Sequence, residues 1–267
     1  MADTKALIQI QNVKKSFPVG TGTVEVLKGI NITINKGEFV IIFGPSGCGK
    51  STLLHTLSGL ENPTEGKVIM EDKDFYAMTE DERGLYRRDK VGMIYQEPLW
   101  ISSFNVIENV MFPSFLLDQK EDDVRVRAQQ LLDSIGLGKW SSYMPLELSS
   151  GQQQKISLIR SLMLDPLLII ADEPTGNLDT VSGRELLERF MKLVDEGKTI
   201  IMVTHDLEYL KYASKIYHIL DGEVVEEYMT KDRHAKRDVI AGKKEIGGDV
   251  VESNVRDPQF LKKLNLT

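Results

Sequence analysis

The feature that most limits what this chain can fold into is the octapeptide Gly44-Pro45-Ser46-Gly47-Cys48-Gly49-Lys50-Ser51, which fits the pattern G-x-x-x-x-G-K-[ST]. That pattern functions only where a buried strand runs into a helix. Its backbone N–H groups must turn inward around a phosphate while the helix N-terminus adds partial positive charge. The flanks meet the condition: Glu38 to Phe43 is dominated by a continuous apolar run, as expected of a strand buried on both faces, and Ser51 to Leu60 reads as a helix. Lys50 is suited to reach β- and γ-phosphate oxygens and Ser51 to offer a hydroxyl to Mg²⁺, and Thr52, next along the helix, is expected to bind the nucleotide with them. Cys48 is the single cysteine, which excludes a disulfide framework and any multi-cysteine metal site. A helix N-terminus and Lys50 would favour its thiolate, yet a small side chain filling the loop is the simpler reading.

The remainder of the chain supplies the sheet that such a loop needs. Leu167 to Ala171 and Thr199 to Val203 read as further buried strands, with a helical pattern through Gly183 to Val194 between them. Strands alternating with helices imply a parallel α/β sheet. Before the loop, Leu7, Ile10 and Val13, then Val24 to Leu27 and Ile30 to Ile34, alternate with polar residues and are punctuated by Gly20, Gly22 and Asn35-Lys36-Gly37, which predicts an antiparallel β layer. From about Pro98 to Arg160 the pattern is helical, including Val124 to Ile135 with Gly136 as its stop, so an inserted helical subdomain over 98–160 is expected. Ile216 to Val225 reads as a hairpin turning at Asp221-Gly222. No apolar run approaches the roughly 18 to 20 residues of a membrane helix, and Met1 to Thr4 open no secretory signal. A cytoplasmic protein is the expectation.

Charge narrows the partners. The net charge of −7 argues against a nucleic-acid binder, because phosphate backbones are held by clustered cations. The imbalance is uneven: residues 231–267 carry nine basic and six acidic side chains, which makes that stretch +3 and leaves −10 for residues 1–230.

Asp172 and Glu173 follow the strand Leu167 to Ala171, at a carboxyl end, where α/β sheets place their ligands. Adjacent side chains point in different directions, so one can serve Mg²⁺ while the other addresses the water that attacks a γ-phosphate. Ser149 stands where its hydroxyl can cap the helix that follows.

Leu148-Ser149-Ser150-Gly151-Gln152-Gln153-Gln154-Lys155 closely resembles the LSGGQ signature of ATP-binding cassette ATPases. Other elements similar to that family follow in order: Gln96 in Tyr95-Gln96-Glu97-Pro98 as the Q-loop, Gly176-Asn177-Leu178-Asp179 as the D-loop, and Thr204-His205-Asp206 as the switch histidine. Phe17, 27 residues before Gly44, is the candidate for the aromatic that stacks on adenine. The resemblance covers about residues 7–228 and implies a phosphate-loop NTPase (RecA-like) core over residues 1–229, with a charged extension over 230–267. It implies an ATPase requiring Mg²⁺ held by Ser51, Gln96 and Asp172, with Glu173, His205 and Lys50 acting in hydrolysis. It further implies that Ser149, Ser150, Gly151 and Gln152 face the ATP bound by a second copy of the chain, with Asp179 at the same junction, and a symmetric pair is possible because one chain carries both halves. The stretch Ala171 to Asp179 is especially like the subgroup of lipoprotein-releasing, macrolide-export and cell-division ATPases, whose common feature is a separate membrane partner. The resemblance therefore implies the ATPase subunit of a membrane transporter or mechanotransmission complex, on the cytoplasmic face of the inner or plasma membrane beside a permease.

Two positions depart from the family pattern: Ser150 replaces the first glycine of the signature, and Lys155 replaces the usual arginine. The serine is harmless if only the backbone is read there, and the lysine keeps charge but loses a planar fork. A GTPase would need an N-K-x-D base reader, and Asn35-Lys36 continues to Gly37-Glu38. A DNA-repair ATPase would carry a long heptad insertion, which is missing. The remaining alternative is a soluble regulatory cassette ATPase not tied to a permease, though such proteins usually have two cassettes and each motif here occurs once. In the extension, Lys231 to Arg237 and Lys243-Lys244 suggest contact with a neighbouring acidic chain or anionic lipid, and Asp257 to Leu264 a short helix.

Overall fold

The computed structural model describes residues 5–230 and 250–253. The chain divides into two compact units, Met1–Thr79 with Phe190–Thr267, and Glu80–Arg189. In chain order the first unit holds β1 (Ala6–Val19), β2 (Gly22–Asn35), β3 (Phe39–Phe43), α1 (Lys50–Leu57), β4 (Glu65–Met70) and β5 (Lys73–Asp74). The second holds α2 (Glu80–Lys90), β6 (Val91–Ile94), α3 (Val106–Met111), α4 (Glu121–Ser134), α5 (Ser150–Ser161), β7 (Leu168–Asp172) and most of α6 (Thr180–Asp195). The chain then returns to the first unit for β8 (Thr199–Thr204), β9 (Lys215–Leu220), β10 (Glu223–Thr230) and β11 (Val250–Ser253).

In the first unit β1 and β2 make a long antiparallel hairpin, and β4 and β5 extend it in the order β2-β1-β4-β5. This is the antiparallel layer that the alternating pattern predicts. A second row runs β11-β10-β9-β3-β8, with β3 parallel to both β8 and β9. Phe39 to Ile42 are at most 1% exposed, so β3 is covered on both faces, which is what an unbroken apolar run requires. The Phe39 ring meets Phe190 edge to face at 6.0 Å. Tyr217, fully buried on β9, joins the two rows: its hydroxyl donates to the Thr33 carbonyl at 2.9 Å and accepts from the Thr33 N–H at 3.1 Å. The hairpin β9–β10 turns at Asp221 (φ 48°) and Gly222 (φ 80°), two left-handed residues in succession, as a tight two-residue turn demands. Residues 250–253 add an antiparallel strand to β10, which the sequence pattern beyond residue 229 does not foreshadow.

Register decides where chemistry can occur. Phe43 of β3 stands level with Thr204 of β8, so the loop from Gly44 and the residue His205 leave the sheet at one edge. In the second unit β6 and β7 are parallel with Ile94 level with Ala171, so Gln96 and the pair Asp172-Glu173 likewise emerge together. Both are carboxyl ends of parallel strands, the ligand-bearing side of such sheets.

The helices of the second unit pack on Val106, Val110, Leu132, Ile156 and Ile159, all at most 2% exposed. Asn109 is wholly buried among them. Its side chain accepts from the Ile101 N–H at 2.9 Å and reaches the carbonyls of Ile101, Phe104 and Asn105 at 3.2, 2.9 and 3.0 Å, pinning the loop ahead of α3. Helix ends differ from the sequence reading. The expected helix to Leu60 stops at Leu57, because Gly59 adopts φ 71° and turns the chain. The expected helix from Gly183 starts at Thr180, because Asp179 caps it. Among the described residues no helix is long and apolar enough to cross a membrane.

Candidate functional site

The loop after β3 is built so that only glycine fits at its tight points. A Cβ on Gly44 would lie 2.1 Å from the Ile219 carbonyl oxygen and 2.8 Å from Cys48 Sγ. Gly49, the N-cap of α1, has φ 102°, and a Cβ there would lie 2.9 Å from the Val26 carbonyl oxygen. The β9–β10 turn seats the loop, since the Gly222 N–H donates to the Cys48 carbonyl at 3.1 Å while its own carbonyl accepts from the Lys28 N–H at 2.9 Å. Lys50 is 4% exposed and its ammonium donates to the carbonyls of Gly44 and Pro45 at 2.9 and 2.7 Å, so the charge sits over the loop. Pro45, Ser46 and Gly47 form the loop's outer turn, with Gly47 at φ 79°, and Ser51 and Thr52 lie in the first turn of α1. The loop thus offers glycine backbone and a buried cation at a helix N-terminus, which suits a nucleoside polyphosphate. Cys48 is 6% exposed, and burial pushes its thiol up against the opposing pull of the Lys50 ammonium, in keeping with a filler rather than a redox centre. Phe17 is half-buried near the end of β1 and pairs across the hairpin with Val24. His205 is exposed just beyond β8, where Asp206 caps the following turn by accepting the Glu208 N–H at 2.9 Å.

In the second unit Asp172 ends β7 and Glu173 follows with φ 44°, a left-handed backbone that an L-residue adopts at a cost. Both are half-buried. The turn beyond Glu173 closes through the Gly176 N–H, which donates to the Glu173 carbonyl at 3.0 Å, and a Cβ on Gly176 would lie 2.7 Å from Gln96 Nε2. Gln96 is therefore laid against the loop that carries Glu173. Asp179 accepts the N–H groups of Val181 and Ser182 at 3.0 Å and the Ser182 hydroxyl at 2.7 Å; these bonds, the hydroxyl foremost, hold its carboxyl below the usual range. Within this chain Asp179 serves as the cap of α6.

Helix α5 begins with a reciprocal cap: the Gln152 N–H donates to Ser149 Oγ at 3.3 Å and Gln152 Oε1 accepts from the Ser149 N–H at 3.0 Å. Ser150, the first helical residue, is exposed. Gly151 is buried against α6, where a Cβ would lie 2.6 Å from Ser182 Oγ, and one turn on Lys155 pairs with Glu185.

Three residues escaped the sequence reading. Gln154, 2% exposed, donates to the Tyr95 carbonyl at 2.9 Å. Gln153 accepts from Trp100 Nε1 at 2.8 Å and donates to the Leu148 carbonyl at 2.9 Å. Arg160 donates to the Leu99 carbonyl at 2.6 Å and lies 4.7 Å from the Trp100 ring centroid. Together they strap residues 95–100, Gln96 included, to α5. The signal was available: three glutamines in a row on a helix face three directions and so meet three different neighbours. Beside this strap lies a cavity of ≈ 280 Å³ lined by Arg88, Tyr95, Leu99, Phe112, Arg160 and Leu164 among others. Leu99 and Phe112 are 63% and 43% exposed, and Phe115 and Leu116 nearby in the chain are 50% and 70% exposed.

Comparison with known proteins agrees with these features. The family model described as ABC transporter matches residues 27–176. An ABC transporter ATP-binding protein of Methanocaldococcus jannaschii is 44% identical over 220 residues, 82% of this chain and 98% of the relative. The lipoprotein-releasing system ATP-binding protein LolD of Aquifex aeolicus is 40% identical over 221 residues, 83% of this chain and 97% of the relative. Among solved structures, the ATP-binding cassette MJ0796, a dimer in a post-hydrolysis state bound to ADP and Pi, has a TM-score of 0.78 and 35% identity and covers 83% of this chain and 98% of its own. The phosphate loop, the capped signature helix and these relatives together establish that the chain belongs to the ABC transporter family and is an ATP-hydrolysing cassette of it.

Proposed function

We propose that two copies of this cassette close around two Mg²⁺-bound ATP molecules, hydrolyse them, and pass the closing and reopening to a separate transmembrane partner. In this reading Lys50 and the backbone of Gly44 to Ser51 bind the phosphates, Ser51, Gln96 and Asp172 are the Mg²⁺ ligands, and Phe17 stacks on the base. Glu173 is the general base toward water and His205 addresses the γ-phosphate. Ser149 to Gln152 of one copy meet the ATP held by the other. The observation that carries the coupling is the strap between α5 and residues 95–100, because it makes the signature helix, Gln96 and the rim of the ≈ 280 Å³ cavity one body. The exposed apolar side chains at that rim are the surface offered to the membrane partner. The relatives named for lipoprotein release and macrolide export support work on a membrane partner, by transport or by mechanotransmission. Seated on such a partner, the cassette lies on the cytoplasmic face, where the basic residues of 231–237 and 243–244, outside the described residues, add attraction to anionic lipid of about 1 kcal/mol each.

Glu173→Gln tests the reading. Expected are ATP-dependent dimers that accumulate on size exclusion, with turnover reduced by at least about 100-fold, a step typical of lost general-base action. Unchanged hydrolysis would remove Glu173 from its role, and purification from membranes without any integral membrane protein would favour the regulatory alternative.

A further inference from the structure

We propose that Lys15 is a positioning residue for nucleobase recognition, holding the Phe17 ring in register with the helix that carries the phosphate loop. The proposal rests on the reading of Phe17 as the ring that stacks on adenine.

Lys15 is 9% exposed, an unusual place for an ammonium, and a buried cation is tolerated only when its donors are met. They are met in three directions. The ammonium pairs with the Glu61 carboxylate, donates to the Asn62 carbonyl at 2.7 Å, and lies over the Phe17 ring 4.8 Å from its centroid. That last distance is within the reach of a cation–π attraction.

Glu61 and Asn62 are not passive anchors. They follow α1 directly, and the N–H groups of Leu60 and Glu61 both donate to the His55 carbonyl, at 2.9 and 3.2 Å. The Tyr76 hydroxyl lies 2.6 Å from the Thr56 carbonyl oxygen and 2.8 Å from that of Glu61, fixing the same turn to the helix end. Thr64 then grips β1 on either side of Lys15: its N–H donates to the Lys14 carbonyl at 2.8 Å, and its hydroxyl accepts from the Ser16 N–H at 3.0 Å. The β1–β2 register shifts between Lys15 and Ser16, so ladder bonds alone do not aim Phe17.

The consequence is geometric. A nucleotide presents its base and its phosphates at a set separation. The N-terminal turn of α1 belongs to the phosphate loop, and the turn after its last residue holds the cation over Phe17. Lys15 therefore references the base-reading ring to the phosphate-reading helix. With one face under the ammonium, a planar base is assigned to the other face of the ring.

The test measures binding of Mg·ADP and Mg·tripolyphosphate to the full chain by titration calorimetry, since only the first carries a base. Expected for Lys15→Met is roughly 3- to 10-fold weaker ADP binding, the cost of ordering on binding a ring that the ammonium no longer holds, with tripolyphosphate affinity within about twofold. In a Phe17→Leu background the same change should add nothing. Equal losses on both ligands, no loss on ADP, or additive effects in the double variant would overturn the proposal. Phe17→Leu leaving ADP binding unchanged would sink the stacking reading and the proposal with it, whereas a loss there with Lys15→Met silent sinks the proposal alone. If Lys15→Met does not fold, Glu61→Gln decides the matter from the more exposed end of the pair. It should weaken ADP and spare tripolyphosphate, and an unchanged ADP affinity would count against the idea.

Discussion

Replacing Asn109 by alanine should destabilise the second unit by about 3 kcal/mol. The magnitude follows from its bonds: one accepted from the Ile101 N–H and two N–H groups shared among three carbonyls, in a site with no exposure. Each satisfied bond contributes about 1 kcal/mol, so the three hydrogens engaged give about 3 kcal/mol, and the Ile101 N–H left dry makes that a lower bound. Water cannot readily repair it in so tightly packed a place. The assay is built into the chain, because both tryptophans, Trp100 and Trp140, lie in the second unit and report its unfolding by fluorescence. With a urea m-value of about 2 kcal/mol/M, the midpoint should drop by about 1.5 M. Asn109→Asp is the sharper companion. It keeps an acceptor for Ile101 but sets a second oxygen against three carbonyls, so burial and repulsion raise its pKa, and the variant should be more stable at pH 4 than at pH 7 relative to the parent. An Asn109→Ala midpoint within about 0.5 M of the parent would refute the reasoning, for it would mean that the loop ahead of α3 is held by something else.

Two further outcomes follow from close contacts. Gly151→Ala should cost about 1–3 kcal/mol by forcing a methyl group onto Ser182, and Ser182→Gly should relieve it, giving a coupling of about 1 kcal/mol or more in a double-mutant cycle; strict additivity would deny the contact. Cys48 should react with maleimide more slowly than a free thiol at pH 7.5, since burial raises its pKa and keeps the proton on. The rate should rise as pH passes above the ordinary thiol range, and labelling as fast as glutathione would contradict the buried placement.

How much could be read from the chain depended on whether the determinant was local. The phosphate loop, the Ser149 cap and the Asp221-Gly222 turn are local, since each needs only a few adjacent residues, and all three stand where the pattern put them. The buried strands were also legible, because unbroken apolar runs such as Phe39 to Phe43 have few other uses. Long-range partners were not. Nothing near Lys15 announces that Glu61 and Phe17 will meet its ammonium, and nothing near Gln154 names the Tyr95 carbonyl, 59 residues away. Helix ends fell between the two. Gly59 and Asp179 both carried stop and start signals, yet apolar residues beyond or within them suggested other limits. Asp179 shows a related ambiguity: a motif residue expected to act toward ATP also has full employment as a helix cap, and residue identity does not distinguish the two tasks.

The backbone at Glu173 has a consequence for anyone who would engineer this protein. At φ 44° the local conformational energy favours glycine or asparagine over glutamate. With Glu173 as the proposed general base, a selection that rewards only heat resistance would drift toward a molecule that melts later and turns over more slowly, discarding the carboxylate because its posture is expensive. Thermostability campaigns on such a cassette need turnover as a simultaneous criterion, and a rise in Tm on Glu173→Gly should be read as a warning rather than a success.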